Sequence, residues 1–174
     1  MRVIAGKYRG KKLASFQGMD IRPTSDRVKE SLFGILSDRI VGASVLDLFA
    51  GSGNLGIECL SRGASFVHFN DLAQTSIDVL KKNLDSVRAT GYTISKGDFR
   101  TCLTQKGAYD FIFIDPPYAS DYGQEALCLI ARGKLTDRGI AIFENEGEGA
   151  QIEGLELFDT RSYGRTKLHF YRNV

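Results

Sequence analysis

The chain has 174 residues, 43% hydrophobic and 25% charged, with a formal net charge of +2. That is the make-up of one globular domain able to bury a core without staples. No apolar run approaches the ~18 residues of a membrane span, and MRVIAGKYRGKK lacks the apolar centre of a signal peptide, so a cytoplasmic protein without a membrane role is expected.

Charge is uneven along the chain. Residues 1–39 hold nine Lys/Arg against four acids, leaving 14 basic against 17 acidic residues in 40–174. A basic arm on a near-neutral body fits either a polyanionic partner such as nucleic acid or a solvated surface hairpin. RVIAG and KKLAS flank Tyr8-Arg9-Gly10 and read as a short hairpin. Pro23-Thr24-Ser25-Asp26 offers a cap to a helix carrying Val28, Leu32, Ile35 and Leu36 at helical spacing. Residues 1–40 thus form a basic hairpin and helix packed on a domain of residues 41–174. There the spacing predicts strands over 44–48, 65–70, 92–96, 109–114 and 139–144, with helices over about 54–62, 73–88, 99–104 and 121–132. That alternation specifies a doubly wound, Rossmann-like α/β fold with a mostly parallel sheet. LELFDTRSYGRTKLHFYR reads as a β-hairpin about Tyr163-Gly164-Arg165, which requires an antiparallel strand at the end of that sheet. Cys59, Cys102 and Cys128 lack metal spacing and read as buried free thiols, with no metal site expected. His68 and His169 fall on strand patterns and read as strand residues rather than acid–base catalysts.

Ligands in such sheets bind beyond the carboxyl ends of the strands. Those positions hold Phe49-Ala50-Gly51-Ser52-Gly53, Asp71-Leu72, Gly97-Asp98-Phe99, Asp115-Pro116-Pro117-Tyr118 and Asn145-Glu146. Gly51-Ser52-Gly53-Asn54-Leu55-Gly56 satisfies the dinucleotide pattern G-x-G-x-x-G, and Asp71 follows twenty residues after its first glycine. Asp47 decides against a pyrophosphate. A carboxylate four residues before the glycines repels phosphate and attracts an ammonium, while Asp71 can accept both hydroxyls of a ribose. An amino acid joined to a nucleoside satisfies both demands, and S-adenosyl-L-methionine is such a molecule.

VLDLFAGSGNLGIECLSRGAS together with DFIFIDPPY resembles the class I S-adenosylmethionine methyltransferases that modify exocyclic amino groups. RVIAGKYRGKKL, IRPTSDRVKESLFGIL and RSYGRTKLHFYR narrow the resemblance to the bacterial 16S rRNA (guanine-N2)-methyltransferases of the RsmD family, over essentially the whole chain. The resemblance implies a seven-stranded sheet and a monomer acting on 16S rRNA within the assembling small ribosomal subunit. It implies that Asp47, Phe49, Ala50, Gly51, Ser52 and Gly53 hold the methionine end of the cofactor and that Asp71 and Leu72 take the ribose. Asp98 would reach the adenine amino group, with Phe99 beside the ring; a helix cap and core packing are the plainer roles for these two. Asp115, Pro116, Pro117 and Tyr118 would be catalytic, and Arg2, Lys7, Arg9, Lys11, Lys12, Arg22, Thr24 and Arg27 would meet RNA. Asp71 stands where the family often has Glu, and no role is evident for Glu144, Glu146 and Glu148.

A guanine amino nitrogen is a poor nucleophile because its lone pair is delocalised into the ring. Asp115 and the Pro116 carbonyl could accept its two hydrogens, the prolines stiffening the loop and removing two donors. Tyr118 offers a stacking surface worth about 1–3 kcal/mol. Two other readings stand beside this one. A DNA adenine-N6 methyltransferase uses the same four-residue logic, but only about forty residues precede the core, too few for a sizeable DNA-reading module. A non-catalytic RNA-binding module on the same fold is the other. Glutamine methyltransferases begin the motif with Asn, from which Asp115 departs.

Overall fold

A computed structural model describes residues 1–16, 26–117 and 121–174. Seven strands form one sheet in the order β3-β2-β1-β4-β5-β7-β6: β1 Ser44–Asp47, β2 Phe66–Asp71, β3 Tyr92–Lys96, β4 Tyr109–Ile114, β5 Leu135–Asn145, β6 Leu155–Tyr163 and β7 Thr166–Asn173. The first five run parallel, and β7 is antiparallel to both β5 and β6. The hairpin read from the C-terminal sequence closes the sheet in this way. Among the described residues the α-helices are α1 Asp26–Leu36, α2 Asn54–Ser61, α3 Gln74–Ser86, α4 Phe99–Thr104 and α5 Tyr122–Ile130, with a 3-10 turn over Ser37–Ile40 after α1.

Alternating residues of the buried strands serve two cores. Val45, Phe111, Phe113 and Ile142 pack with α1, α2, α3 and the N-terminal arm. Leu46, Ile112, Ile114 and Ala141 pack with α4 and α5. Val3, Tyr8 and Leu13 of the arm join the first core, so the arm is bound by apolar burial as well as by polar contacts.

Three expectations need correction. The arm does double back as an antiparallel hairpin, with Val3 N–H donating to the Lys11 carbonyl at 2.9 Å and Leu13 N–H to the Met1 carbonyl at 3.1 Å about the Arg2–Lys12 bridge, but it is shorter than the two runs RVIAG and KKLAS. The Ile4 and Ala5 N–H groups donate to the Glu58 carboxylate at 2.8 and 3.0 Å, and Lys7 N–H donates to the Ser61 carbonyl, so these donors are unavailable to a hairpin ladder. Strand β5 begins four residues before 139, because the polar stretch Thr136-Asp137-Arg138 forms an irregularity where the register with β4 shifts. Thr136 Oγ1 ties it down by donating to Asp110 Oδ1 at 2.9 Å. Cys59 and Cys102 are buried as expected, whereas Cys128 is exposed on α5. His68 and His169 are buried strand residues with hydrogen-bond partners, as read.

Candidate active site

Strand order reverses between β1 and β4, and the chains leaving their carboxyl ends separate there. A cavity of about 780 Å³ opens at this point, lined by the loops after β1, β2, β3 and β4 and by Met1, Ser15 and Phe16 of the arm. The expected cofactor residues Asp47, Phe49, Ala50, Gly51, Ser52, Asp71, Leu72, Asp98 and Phe99 all line it, as do Asp115, Pro116 and Pro117. Gly53 lies behind the lining. Tyr118, Arg22 and Thr24 fall outside the described residues.

The turn from β1 into α2 needs its glycines. Gly53 caps α2 at φ +81°, and a Cβ there would stand 2.4 Å from Leu80 Cδ1. Gly56 lets α2 approach β2 so closely that a Cβ would meet the Phe69 ring at 2.2 Å. That approach also delivers the Gly56 N–H to Asp47 Oδ2 at 3.0 Å. Among the described residues this is the hydrogen bond Asp47 receives, although the side chain is buried. Burial, with the Asp71 charge adding to it, pushes the Asp47 carboxyl up to about 7. A buried acid with spare acceptor capacity, facing a cavity, fits a cationic ligand group.

Asp71 is oriented by the glycine loop and by its own. Oδ2 accepts from Gly51 N–H at 2.8 Å and Oδ1 from Ala73 N–H at 2.9 Å, so each oxygen keeps a lone pair for a hydroxyl. Asp98 is a helix cap: Oδ1 accepts from Arg100 N–H at 2.8 Å, and the Arg100 guanidinium pairs with Oδ2 at 3.1 Å. It nevertheless faces the cavity, so the cap does not exclude a ligand. Phe49 meets Phe99 at 5.2 Å between ring centroids, and Phe99 meets Tyr122 at 5.4 Å. This sets Phe49 beside Phe99 in the lining of the cavity. Arg100 lies over the Phe99 ring at 4.4 Å and is paired with Glu125, so that side of the cavity is a wall of packed, mutually tilted rings.

Asp115 is exposed to the cavity. Its carboxyl pKa is nonetheless pushed well up, first by the protein packed closely around it and then by the Glu144 and Asp47 charges. Glu144 follows Phe143, and Asp115 follows Ile114; those neighbours are paired across β4 and β5, so the two acids stand side by side at the sheet's rim. Lys7, Arg9, Lys11, Lys12 and Arg27 are exposed. Arg2 differs, since its guanidinium is paired with Asp26 at 3.0 Å.

The sequence reading missed Asn70, Arg100, Tyr122 and the arm residues that reach the cavity. Asn70 is the most recoverable. It is a polar residue at the end of an apolar strand, like Asp47, and it fastens the β1 and β3 exits by donating to the Leu48 and Gly97 carbonyls at 3.1 and 3.2 Å. Among the described residues no helix is long and apolar enough to cross a membrane.

The profile of a family described as Conserved hypothetical protein 95 matches residues 1–172. Ribosomal RNA small subunit methyltransferase D of Haemophilus influenzae is 34% identical, over 99% of this chain and 94% of its own. Its Escherichia coli namesake is 37% identical, over 85% of this chain and 76% of its own. The chain belongs to this family. A solved Escherichia coli structure described as a candidate methyltransferase superposes with a TM-score of 0.89 at 32% identity, covering 99% of this chain and 97% of that one. The family's class I methyltransferase fold is therefore the one seen in this sheet.

Proposed function

We propose that this protein transfers a methyl group from S-adenosylmethionine to the exocyclic N2 amino group of a guanine in 16S rRNA, as a cytoplasmic monomer acting on the assembling small ribosomal subunit. Methylation of small-subunit rRNA is what the relatives' names state. The choice of guanine N2 rests on the chemistry of the site and on the family resemblance. One observation carries the reading: Asp47, buried and short of donors, and Asp115, with its stiff Pro-Pro turn, face one cavity at the strand-order switch.

The cofactor, when bound, supplies an electrophilic methyl group on a sulfonium. Asp47 attracts the ammonium of its amino-acid end, Asp71 accepts from its ribose, and Asp98 with the Phe99 wall receives its adenine. Asp115 and the Pro116 carbonyl accept hydrogen bonds from the guanine amino group and hold its nitrogen toward the methyl. Tyr118 provides a face on which the base stacks. Once methylated, the guanine nitrogen would be acidic and would give up one proton. Asp115, made more basic by its surroundings, or water receives it. Orientation supplies most of the acceleration.

The deciding experiment incubates the protein with labelled cofactor and total RNA or DNA, then identifies the methylated nucleoside. N2-methylguanosine in small-subunit rRNA is expected; N6-methyladenine in DNA would sink the reading. Asp115→Ala should abolish turnover and leave S-adenosylhomocysteine affinity within about threefold, since it removes positioning made only toward the substrate amine. Equal loss of both would assign Asp115 to cofactor binding or folding.

A further inference from the structure

Asn83 lies on α3, is buried, and does not line the cavity. Both of its N–H hydrogens and its carbonyl oxygen are engaged. Oδ1 accepts from Ala14 N–H at 2.7 Å, while Nδ2 donates to the Ala14 carbonyl at 3.0 Å and to the Ser52 carbonyl at 2.9 Å. Toward Ala14 it acts as a strand neighbour would, pairing both backbone groups of one residue. With its remaining hydrogen it grips the glycine loop between Gly51 and Gly53. The two residues after Ala14, Ser15 and Phe16, line the cavity, and a Phe16 ring carbon stands 3.9 Å from where a Cβ on Gly51 would be.

A second tie joins the same loop to the arm. Buried Lys29 donates from Nζ to Asn54 Oδ1 at 2.8 Å and to the Arg2 carbonyl at 2.6 Å. Met1, one residue before Arg2, also lines the cavity, and Ser52 Oγ lies 3.7 Å from its sulfur. The glycine loop is thus held from two directions by Asn83 and Lys29, neither of which lines the cavity.

We propose that residues 14–16 are a wall of the cofactor site and that Asn83 positions this wall against the glycine loop. Burial of an amide whose three bonds all join the arm to the loop has that consequence. Among the described residues the arm's backbone ladder ends at Leu13, whose N–H donates to the Met1 carbonyl, and beyond it the Asn83 side chain holds the wall over Gly51. The inference rests on the cofactor reading given above.

The test is calorimetric titration of S-adenosylhomocysteine into wild type, Asn83→Asp and Phe16→Ala. Asn83→Asp keeps the shape and the acceptor for Ala14 but removes both donors and sets a carboxylate against two carbonyls. Its Kd should weaken roughly tenfold, the scale of one or two lost hydrogen bonds, with binding stoichiometry near that of wild type. A merely structural role for Asn83 would instead lower stoichiometry through unfolded protein and leave Kd unchanged, which would overturn the proposal. Should Asn83→Asp fail to fold, Phe16→Ala decides, since it trims the wall without touching the buried amide. A weakened Kd supports the wall, and an unchanged Kd sinks it. A wild type that does not bind S-adenosylhomocysteine would overturn the cofactor reading, and the wall with it.

Discussion

Glu58 on α2 and Asp47 on β1 are both buried carboxylates, but their surroundings are opposite. Glu58 accepts from Ile4 and Ala5 N–H and from Arg62 Nε, all within 3.0 Å, and lies 3.2 Å from Lys29 Nζ. Asp47 has the Gly56 N–H. The first acid has its lone pairs spent on the arm's amides, Arg62 and Lys29, so it is a fastener. The second keeps acceptor capacity beside a cavity, so it is a receptor that waits for a cation. A buried charge alone does not mark a site; what matters is how much of its hydrogen-bonding capacity the protein itself consumes.

The largest expected effect is on the fastener. Glu58→Ala strands Lys29 without its carboxylate in the core and releases the Ile4 and Ala5 amides. Removing one partner of a buried ion pair costs about 3–5 kcal/mol, and denaturant unfolding should show a loss of that size. A loss below about 1 kcal/mol would mean that the apolar contacts of Val3, Tyr8 and Leu13 hold the arm by themselves.

Asp47 should respond in the opposite sense. Its folded pKa, about 7, lies above the ordinary 3.8, so the folded state holds a proton that the unfolded chain releases. Ligand-free stability should therefore fall as pH rises through that window and level off above pH 7. S-adenosylhomocysteine affinity should rise through the upper part of the same window, because the ammonium needs the ionised acid. Asp47→Asn should flatten both trends. At pH 8 it should raise the ligand-free melting temperature and weaken the ligand by roughly tenfold or more, the worth of a charge-assisted contact. A variant that is both less stable and fully able to bind would erase the distinction between the two acids.

The distinction was half legible in the sequence. Asp47 stands out in VLDLF because a charge inside an apolar strand has no local explanation, and the glycines and Asp71 follow at fixed spacing. The strand and helix order was legible for the same reason: period-2 and period-3.6 patterns are local. Glu58 in NLGIECLS looks like any helix-surface acid with an Arg62 partner one turn on, since the two amides it fastens, Ile4 and Ala5, lie over fifty residues away in the arm. Asn83 was hidden in the same way, being joined to Ala14 across 69 positions. The arm's hairpin is shorter than its strand propensity suggests, because Glu58 and Ser61 of α2 take the Ile4, Ala5 and Tyr8 donors. The aromatic wall was partly readable, with Phe49 and Phe99 named but Tyr122 and Arg100 dependent on how α4 meets α5.

The smallest effect on stability concerns the outer surface of the arm that Glu58 fastens. Lys7, Arg9, Lys11 and Lys12 are exposed, and the arm's backbone is fixed from beneath, so their charges project outward from a rigid base. Replacing all four by Ala should change unfolding free energy by about 0.5 kcal/mol or less per site, Lys7 being the least neutral because it lies over the Tyr8 ring at 4.7 Å. RNA affinity should change far more. If each cation neutralises a phosphate, it releases counterions, and its loss should flatten the log–log dependence of affinity on salt by about 0.7–0.9. Phosphate contacts position without choosing a base, so the fourfold variant should bind RNA weakly at low salt yet methylate the same nucleoside. S-adenosylhomocysteine affinity should be unchanged, because the cavity face of the arm is set by Asn83 and Lys29 and not by its outer charges. RNA binding across a salt series for wild type and variant measures this. Parallel slopes would mean that the basic face is only solvated surface, and that Glu58 fastens the arm solely to wall the cavity.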